Sequence, residues 1–354
     1  MSRFFSSKYD ELTPYTPGEQ PEERQYVKLN TNESPFPPSP FALRYAEGHT
    51  RSLELYSDPK GALLREELAK TYGVKPEETI LVNGSDDVLN FAFMAFCDKE
   101  HPAFFPDITY GFYPVFATLN HVPYEELPLR EDFTLDPADY RDKKGTLFIA
   151  NPNAPTGILL PVEEIEALLR ADPDRLVVVD EAYVDFGGES CVPLIHKYDN
   201  LLVTQTFSKS RSMAGARLGY GIACESLIRD LNTIRYSTNP YNVNSMTLAL
   251  GLGTLLDPDY TKRNCAEIIR VREKTAEALR ALGFTLTDSR ANFLFARWDR
   301  LGGEELYLRL KERGVLVRHF TLPRIADYNR ITVGAEAQME ALLGAIRSIQ
   351  EEIP

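Results

Sequence analysis

Three observations place this chain in the α/β class, as a mostly parallel central sheet flanked by helices, with a smaller α+β unit after it and an extended arm before it. From about residue 60, short apolar runs alternate with helix-length segments. The runs are continuously apolar, as strands covered on both faces are, and do not show the every-other-residue pattern of a half-solvated sheet. The alternation then restarts on a smaller scale after one long helical stretch near residues 261–282. A chain of 354 residues is long enough for about two domains. The expected division is an arm over 1–40, a large domain over 41–258 and a small domain over 259–354.

The elements follow in order. Leu12-Thr-Pro-Tyr-Thr-Pro-Gly18 and Asn30-Thr-Asn-Glu-Ser-Pro-Phe-Pro-Pro38 are too rich in proline to pack as regular structure, so the first forty residues read as an extended arm. Ala62 to Tyr72 reads as a helix stopped by Gly73, and Thr79 to Val82 as a buried strand. A helix over Asp86–Phe96, a strand over Pro102–Phe105 and a helix over Gly111–Leu119 come next. Thr146–Ala150 is a strand, Val162–Arg170 a helix, and Leu176–Val179 and Leu201–Thr204 are strands. Helices near Ser226–Ile234 and Ser245–Leu256 precede the long one. There Ile268, Val271, Thr275, Leu279 and Leu282 recur every three or four residues. The small unit reads strand Asn292–Ala296, helix Glu304–Arg313, strands Val315–Arg318 and Arg330–Val333, and helix Glu336–Ile349.

Composition excludes several classes of function. With 39 Lys+Arg against 52 Asp+Glu the net charge is −13. That field repels nucleic acid and anionic membrane surfaces, so neither is an expected partner. A phosphate-bearing ligand would need a local cluster of cations. Cys97, Cys191, Cys224 and Cys265 are far apart and form no CxxC pair, which suggests reduced thiols and no zinc site. The five histidines show no HExxH spacing. The N-terminus carries no apolar signal region, and no run approaches the roughly 20 apolar residues of a membrane span. The expected compartment is the cytoplasm.

In open α/β sheets ligands bind beyond the carboxyl ends of the strands, so the residues after each run carry the chemistry. After Val82 comes Asn83-Gly84-Ser85-Asp86 and a helix. This is an N-cap or, with its free amides and dipole, a phosphate seat. After Ala150 comes Asn151-Pro-Asn153-Ala154-Pro-Thr-Gly157, a rigid turn. After Val179 comes Asp180-Glu-Ala-Tyr183. A carboxylate that closes a buried run needs a positive partner unless it is exposed. The run Leu201 to Phe207 delivers Ser208-Lys209 onto a hydroxyl-rich turn, with Arg217 eight residues on. Such a lysine is either solvated or placed to form an imine with an aldehyde. Tyr110 supplies an aromatic face or a core side chain. Arg318 and Arg330 each abut a strand-like run, as surface charges or as a clamp on an anion.

In this order and spacing the motifs resemble the fold-type I pyridoxal-phosphate aminotransferases, and most of all the histidinol-phosphate aminotransferase family. The resemblance covers nearly the whole chain. It includes Leu12-Thr-Pro-Tyr15, Leu29-Asn-Thr-Asn32-Glu, Tyr56-Ser-Asp-Pro, Asp180-Glu-Ala-Tyr183, Ser208-Lys209, Ser289-Arg-Ala-Asn292-Phe and Arg330-Ile-Thr-Val-Gly334. It implies a pyridoxal 5'-phosphate cofactor joined to Lys209, with Asp180 on the pyridine nitrogen, Tyr183 on the ring hydroxyl and Tyr110 stacked on the ring. Gly84, Ser85, Asp86, Thr206, Ser208 and Arg217 would hold the phosphate. Tyr56 would reach the phosphate in a neighbouring subunit, which makes a homodimer with shared active sites. Tyr15, Asn32, Arg318 and Arg330 would line the substrate pocket. The substrates implied are a phosphorylated amino alcohol and the 2-oxoglutarate/glutamate pair. One position departs from the family pattern. The asparagine that usually precedes Pro-Thr-Gly and contacts the ring hydroxyl is Ala154 here. Either Tyr183 carries that contact with a water or another side chain, or Asn153 compensates. An aromatic amino-acid aminotransferase and a threonine-phosphate decarboxylase share the same cofactor residues and would differ in the pocket. A non-catalytic ligand-sensing module is the reading that fits a retained Lys209 least.

Overall fold

The apolar runs form strands, and the segments between them form helices that cover both sheet faces. A computed structural model describes residues 2–353. In chain order the elements are β1 (Val27–Lys28), α1 (Pro40–Glu47), α2 (Ala62–Tyr72), β2 (Thr79–Val82), α3 (Ser85–Phe96), β3 (Ala103–Pro106), α4 (Tyr113–Leu119) and β4 (Tyr124–Leu127). There follow β5 (Thr146–Ala150), α5 (Val162–Ala171), β6 (Val177–Asp180), β7 (Leu201–Thr206), β8 (Gly219–Ala223), α6 (Glu225–Thr238), α7 (Ser245–Leu255) and α8 (Pro258–Ala281). The chain ends with β9 (Phe284–Leu286), β10 (Phe293–Trp298), α9 (Gly303–Glu312), β11 (Val315–Leu316), β12 (Arg318–His319), β13 (Tyr328–Thr332) and α10 (Glu336–Glu352).

Seven strands form the main sheet in the order β2-β8-β7-β6-β5-β3-β4. All run parallel except β8, which is antiparallel to both β2 and β7. Successive residues of a strand face opposite sides, and the core divides accordingly. Leu147, Ile149, Val177, Val179, Leu201 and Val203 pack with α2, α5 and α7. Phe148, Val178 and Leu202 pack with α3, α4 and α6. The second sheet, β12-β13-β10-β9, packs on Ile268, Val271 and Leu279 of α8 and on Leu342 and Ile346 of α10.

The topology brings the motifs together. Because β2, β5, β6 and β7 are parallel, Asn83-Gly84, Asn151, Asp180 and Thr206 all emerge at one sheet edge. The antiparallel β8 starts at that edge, with Gly219 opposite both Val82 and Thr206, so Arg217 arrives there too.

The fold adds α1, β4 and β9 to the expected elements and differs from the sequence expectation in three further places. β8 gave no apolar run because two of its five residues are glycine; a side chain at Gly219 would place its Cβ 2.2 Å from the backbone nitrogen of Ser85. The arm does pack in part: β1 pairs in parallel with β11, and Leu29 is buried among α8 and α10 residues. Two paired residues are too few to show a period. The expected strand Val315–Arg318 is divided between two sheets, β11 pairing with the arm and β12 with β13.

Candidate active site

A cavity of about 390 Å³ opens at this sheet edge. Ser85, Asp86, Tyr110, Asp180, Tyr183, Thr206, Ser208, Lys209 and Arg217 all line it, which is nine of the residues singled out in the sequence.

The turn after β7 carries Lys209 and is tied down on both sides. Thr206 Oγ1 accepts from the Ser208 backbone N–H (3.1 Å). Ser210 Oγ and Arg211 Nη1 both donate to Asp185, the latter at 3.1 Å. Asp185 belongs to the segment that follows Tyr183, so the lysine turn and the tyrosine turn are fastened together. Lys209 Nζ donates to the Thr31 carbonyl of the arm (3.3 Å) and lies 5.8 Å from the centre of the Tyr183 ring.

Two adjacent buried carboxylates at the end of β6 are treated differently. Glu181 accepts from Ser190 Oγ (2.6 Å), the Cys191 backbone N–H (2.6 Å) and Gln205 Nε2 (2.7 Å). Asp180, on the opposite side of the strand, receives the Tyr113 hydroxyl at 3.3 Å on Oδ2, while its Oδ1 is buried with no partner. Burial, reinforced by the nearby Asp86, pushes Asp180 up to about 7. Burial pushes Glu181 up to about 7 as well, against its three donors. A buried carboxylate oxygen left open toward a cavity is costly without a cation to meet it.

The anion seat lies at the start of α3. Gly84 is in the left-handed region at φ 89° and contributes no side-chain cap, so the first amides of the helix stay available. That φ strains any other residue, and a Cβ there would lie 2.5 Å from Arg217 Nη2 and push the guanidinium aside. Arg217 donates to Asp86 Oδ2 at 3.1 Å, and Tyr110 Oη donates to Asp86 Oδ1 at 2.7 Å. Asp86 thus aligns the guanidinium and the tyrosine ring at the cavity wall.

The other expected residues lie outside this cavity. Tyr15 stacks on Phe112 with ring centres 4.1 Å apart. Asn32 Nδ2 donates to Tyr183 Oη at 3.0 Å. Arg318 and Arg330 are paired across β12 and β13 and flank the Phe320 ring at 5.9 and 5.8 Å. Arg318 donates to the carbonyls of Thr16 (3.1 Å) and Pro17 (3.2 Å). Arg330 donates to the Asn30 carbonyl (3.1 Å), and its Nε is buried with no partner. Tyr56 is 83% exposed, is not among the residues that line the cavity, and stacks on Tyr241 at 4.5 Å. Asn153 is bonded within its own turn and to the segment after β3. Its Oδ1 accepts from Thr109 Oγ1 (2.8 Å) and its Nδ2 donates to the Ile108 carbonyl (2.9 Å) and Thr156 Oγ1 (3.0 Å). With its amide spent on the turn, it faces a different cavity.

Sequence reasoning missed Gln20, Thr31 and Glu33 on the wall, and Tyr113 behind Asp180. The first three sit in the proline-rich arm, where no period marks a facing side; Tyr113 looked like one aromatic among several. Among the described residues no group of three His, Cys, Asp or Glu could hold a metal ion.

Comparison with known proteins fits this geometry. The family model for class I and II aminotransferases matches residues 24–346. A histidinol-phosphate aminotransferase of Brachyspira hyodysenteriae is 44% identical over 99% of each chain. Histidinol-phosphate aminotransferase 1 of Bradyrhizobium diazoefficiens is 46% identical over 99% of this chain and all of its own. The chain belongs to the histidinol-phosphate aminotransferase family. The family fold extends to solved structures of low identity. The Sinorhizobium meliloti histidinol-phosphate aminotransferase, solved in complex with pyridoxal-5'-phosphate, is 23% identical and superposes with a TM-score of 0.89 over 99% of both chains. A mutant Thermus thermophilus aspartate aminotransferase, 22% identical, gives 0.84 over 98% of this chain and all of its own.

Proposed function

We propose that the protein is a pyridoxal-phosphate-dependent transaminase. It interconverts histidinol phosphate plus 2-oxoglutarate with imidazole-acetol phosphate plus glutamate. The observation that carries the reading is the unpartnered Oδ1 of Asp180, a residue that lines the same cavity as Lys209 and Arg217. A protonated pyridine nitrogen is the cation that this oxygen lacks, an aldehyde suits the lysine amine, and a phosphate suits the open helix start beside Arg217. The residues present therefore fit the cofactor. When bound, it supplies an aldehyde for the amine and a ring that draws electrons from the substrate carbon.

The chain's own residues do the rest. Asp180 holds the proton of the ring nitrogen in a site where burial strengthens that pairing. Tyr183 would hold the ring hydroxyl, and Tyr110 would cover one ring face. Arg217, Ser85 and Ser208 fix the phosphate. Lys209 Nζ would move the proton from the substrate Cα to the cofactor's aldehyde carbon, and back in the reverse half-reaction. Arg330, which has no carboxylate among its hydrogen-bond partners, orients the anionic end of either substrate, with Arg318 beside it. The arm, held over the site by Arg318 and Arg330, keeps water out. The division into arm 1–40, cofactor domain 41–258 and small domain 259–354 belongs to the same proposal, as does a cytoplasmic location. No helix of the described residues is long and apolar enough to cross a membrane.

Aldehyde-form enzyme mixed with histidinol phosphate should lose its aldehyde-form absorbance within one turnover and regain it with 2-oxoglutarate. Lys209→Ala should abolish turnover but keep part of the cofactor affinity. Faster conversion with phenylalanine, or carbon dioxide release from threonine phosphate, would assign the site to a different substrate.

We also propose a homodimer. Leu53, Leu55, Tyr56, Leu63 and Tyr241 are 42% exposed or more, a density of apolar side chains that a second copy would cover. Tyr56 then reaches the partner's phosphate seat. Mixing Lys209→Ala protein with Tyr56→Ala protein should restore activity that neither has alone, since one of the two shared sites becomes intact. No gain on mixing would remove Tyr56 from the shared site.

A further inference from the structure

Residue 154 is an alanine on the cavity wall, so the turn after β5 offers no amide to a ring hydroxyl, and Asn153 has none to lend. The phenol of Tyr183 is left to make that contact, and the direction of its hydroxyl is set by Asn32. Asn32 is in the left-handed region at φ 55°, a conformation asparagine tolerates. Its backbone N–H donates to Thr332 Oγ1 (2.9 Å), and the Thr332 hydroxyl donates in turn to Asn32 Oδ1 (3.1 Å). Asn292 Nδ2 holds the Asn32 carbonyl at 3.0 Å. The Asn32 amide thus turns its oxygen to the Thr332 hydroxyl. The other end is Nδ2, 3.0 Å from Tyr183 Oη. An amide nitrogen donates and does not accept. Tyr183 Oη therefore accepts from Asn32, and its own proton must go elsewhere. Tyr183 lines the cavity, which is the open direction.

We propose that Asn32 is a positioning residue. Through the chain Thr332–Asn32–Tyr183 it commits the Tyr183 hydroxyl to donating into the cavity, onto the oxygen of the ring hydroxyl, in place of the amide missing at 154. The inference rests on pyridoxal phosphate occupying this cavity. The chain joins β13, the arm and the turn after β6, so it ties the donor to three segments remote in sequence.

A hydrogen bond donated to the ring oxygen stabilises its anion. The anion predominates once the nitrogen shared by Lys209 and the cofactor loses its proton. Losing the donor raises the pH midpoint of that change, read as the spectral titration of the bound cofactor without substrate. Asn32→Gly keeps the backbone conformation and adds no charge. It should raise the midpoint by about one pH unit, the worth of one such bond. Asn32→Asp keeps the shape but accepts the phenol's proton, and should raise it at least as far. Tyr183→Phe should raise it similarly, and Asn32→Gly with Tyr183→Phe no further than Tyr183→Phe alone. An unshifted midpoint in Asn32→Gly, or a shift that adds in full to that of Tyr183→Phe, would overturn the relay. A shift confined to Asn32→Asp would assign the effect to charge and overturn it too. A wild-type protein with no cofactor absorbance fails the reading of the site, and this inference with it.

Discussion

The two walls of the site are built on different principles. The wall at the end of the main sheet takes its groups from strand termini, and each is fixed by local bonds: Lys209 by the Ser210–Asp185 contact, Arg217 by Asp86. The opposite wall takes Gln20, Thr31 and Glu33 from the arm, which is held in turn by the β12–β13 pair. Its arginines hold backbone carbonyls of the arm, Thr16, Pro17 and Asn30, and no carboxylate is among their hydrogen-bond partners. A permanent cofactor rewards the first arrangement, because pre-set groups lose no freedom when it binds. Two alternating substrates of different shape reward the second. Carbonyls are weaker partners than carboxylates, so an incoming anion can displace them at modest cost.

The largest expected break in this comparison is at Asp180. Asp180→Asn removes the charge that the ring nitrogen needs, and turnover should fall by at least about a hundredfold. Stability of the cofactor-free protein should move the other way. The carboxyl of Asp180 is raised to about 7 in the folded protein, against an ordinary value near 4. Between those values the folded state holds a proton that the unfolded state has lost, so stability falls as pH rises through this window. The penalty is complete above pH 7 and absent below about pH 4. Asp180→Asn should therefore stabilise the cofactor-free protein at pH 8 by on the order of a few kcal/mol, with no gain near pH 4. Denaturant melts at the two pH values check this. Equal effects at both would mean that Asp180 is not strained by burial. The same melts on Glu181→Gln separate the two carboxylates. Glu181 carries three donors, and replacing it leaves an acceptor deficit that offsets any gain.

The contrast between the walls also explains what was legible in the sequence. β2, β5, β6 and β7 are apolar on both faces, so their ends were readable, and with them Ser85, Asp180, Thr206 and Lys209. Their convergence follows from the parallel topology alone. The second wall depends on contacts between residues some 300 positions apart, such as Asn32 with Thr332 and Arg330 with Asn30. No period or spacing records such a contact. Asn153 shows the complementary case. Its residue type and its place in the turn suited a cofactor contact, but its amide satisfies Ile108, Thr109 and Thr156. Which of two adjacent asparagine-like positions faces a cavity is decided by the turn's backbone, and the sequence lists only the side chains.

The smaller breaks lie in the second wall and grade its two arginines. Arg330 is flanked by the Phe293 and Phe320 rings at 5.5 and 5.8 Å, and burial lowers its pKa from the usual arginine value. A bond from such a group to a substrate anion is worth about 1.5–3 kcal/mol. Arg330→Ala should therefore raise the KM for the anionic substrates about 10- to 100-fold, with cofactor affinity unchanged, because the cofactor's phosphate is held by the other wall. A parallel loss of cofactor affinity would mean that the two walls are not separate. Arg318 is less enclosed and both of its bonds go to the arm, so part of what Arg318→Ala removes is the arm's anchor and only part is substrate binding. Its KM effect should be the smallest, about two- to fivefold, in the range of a single exposed charge. The same substitution should speed hydrogen exchange at Tyr15 and Gly18, where the arm loses its two carbonyl contacts, while exchange in β13 stays as it was. If KM rises as far as in Arg330→Ala and the arm's exchange is unaltered, Arg318 is an equal half of an anion clamp and its hold on the arm is incidental.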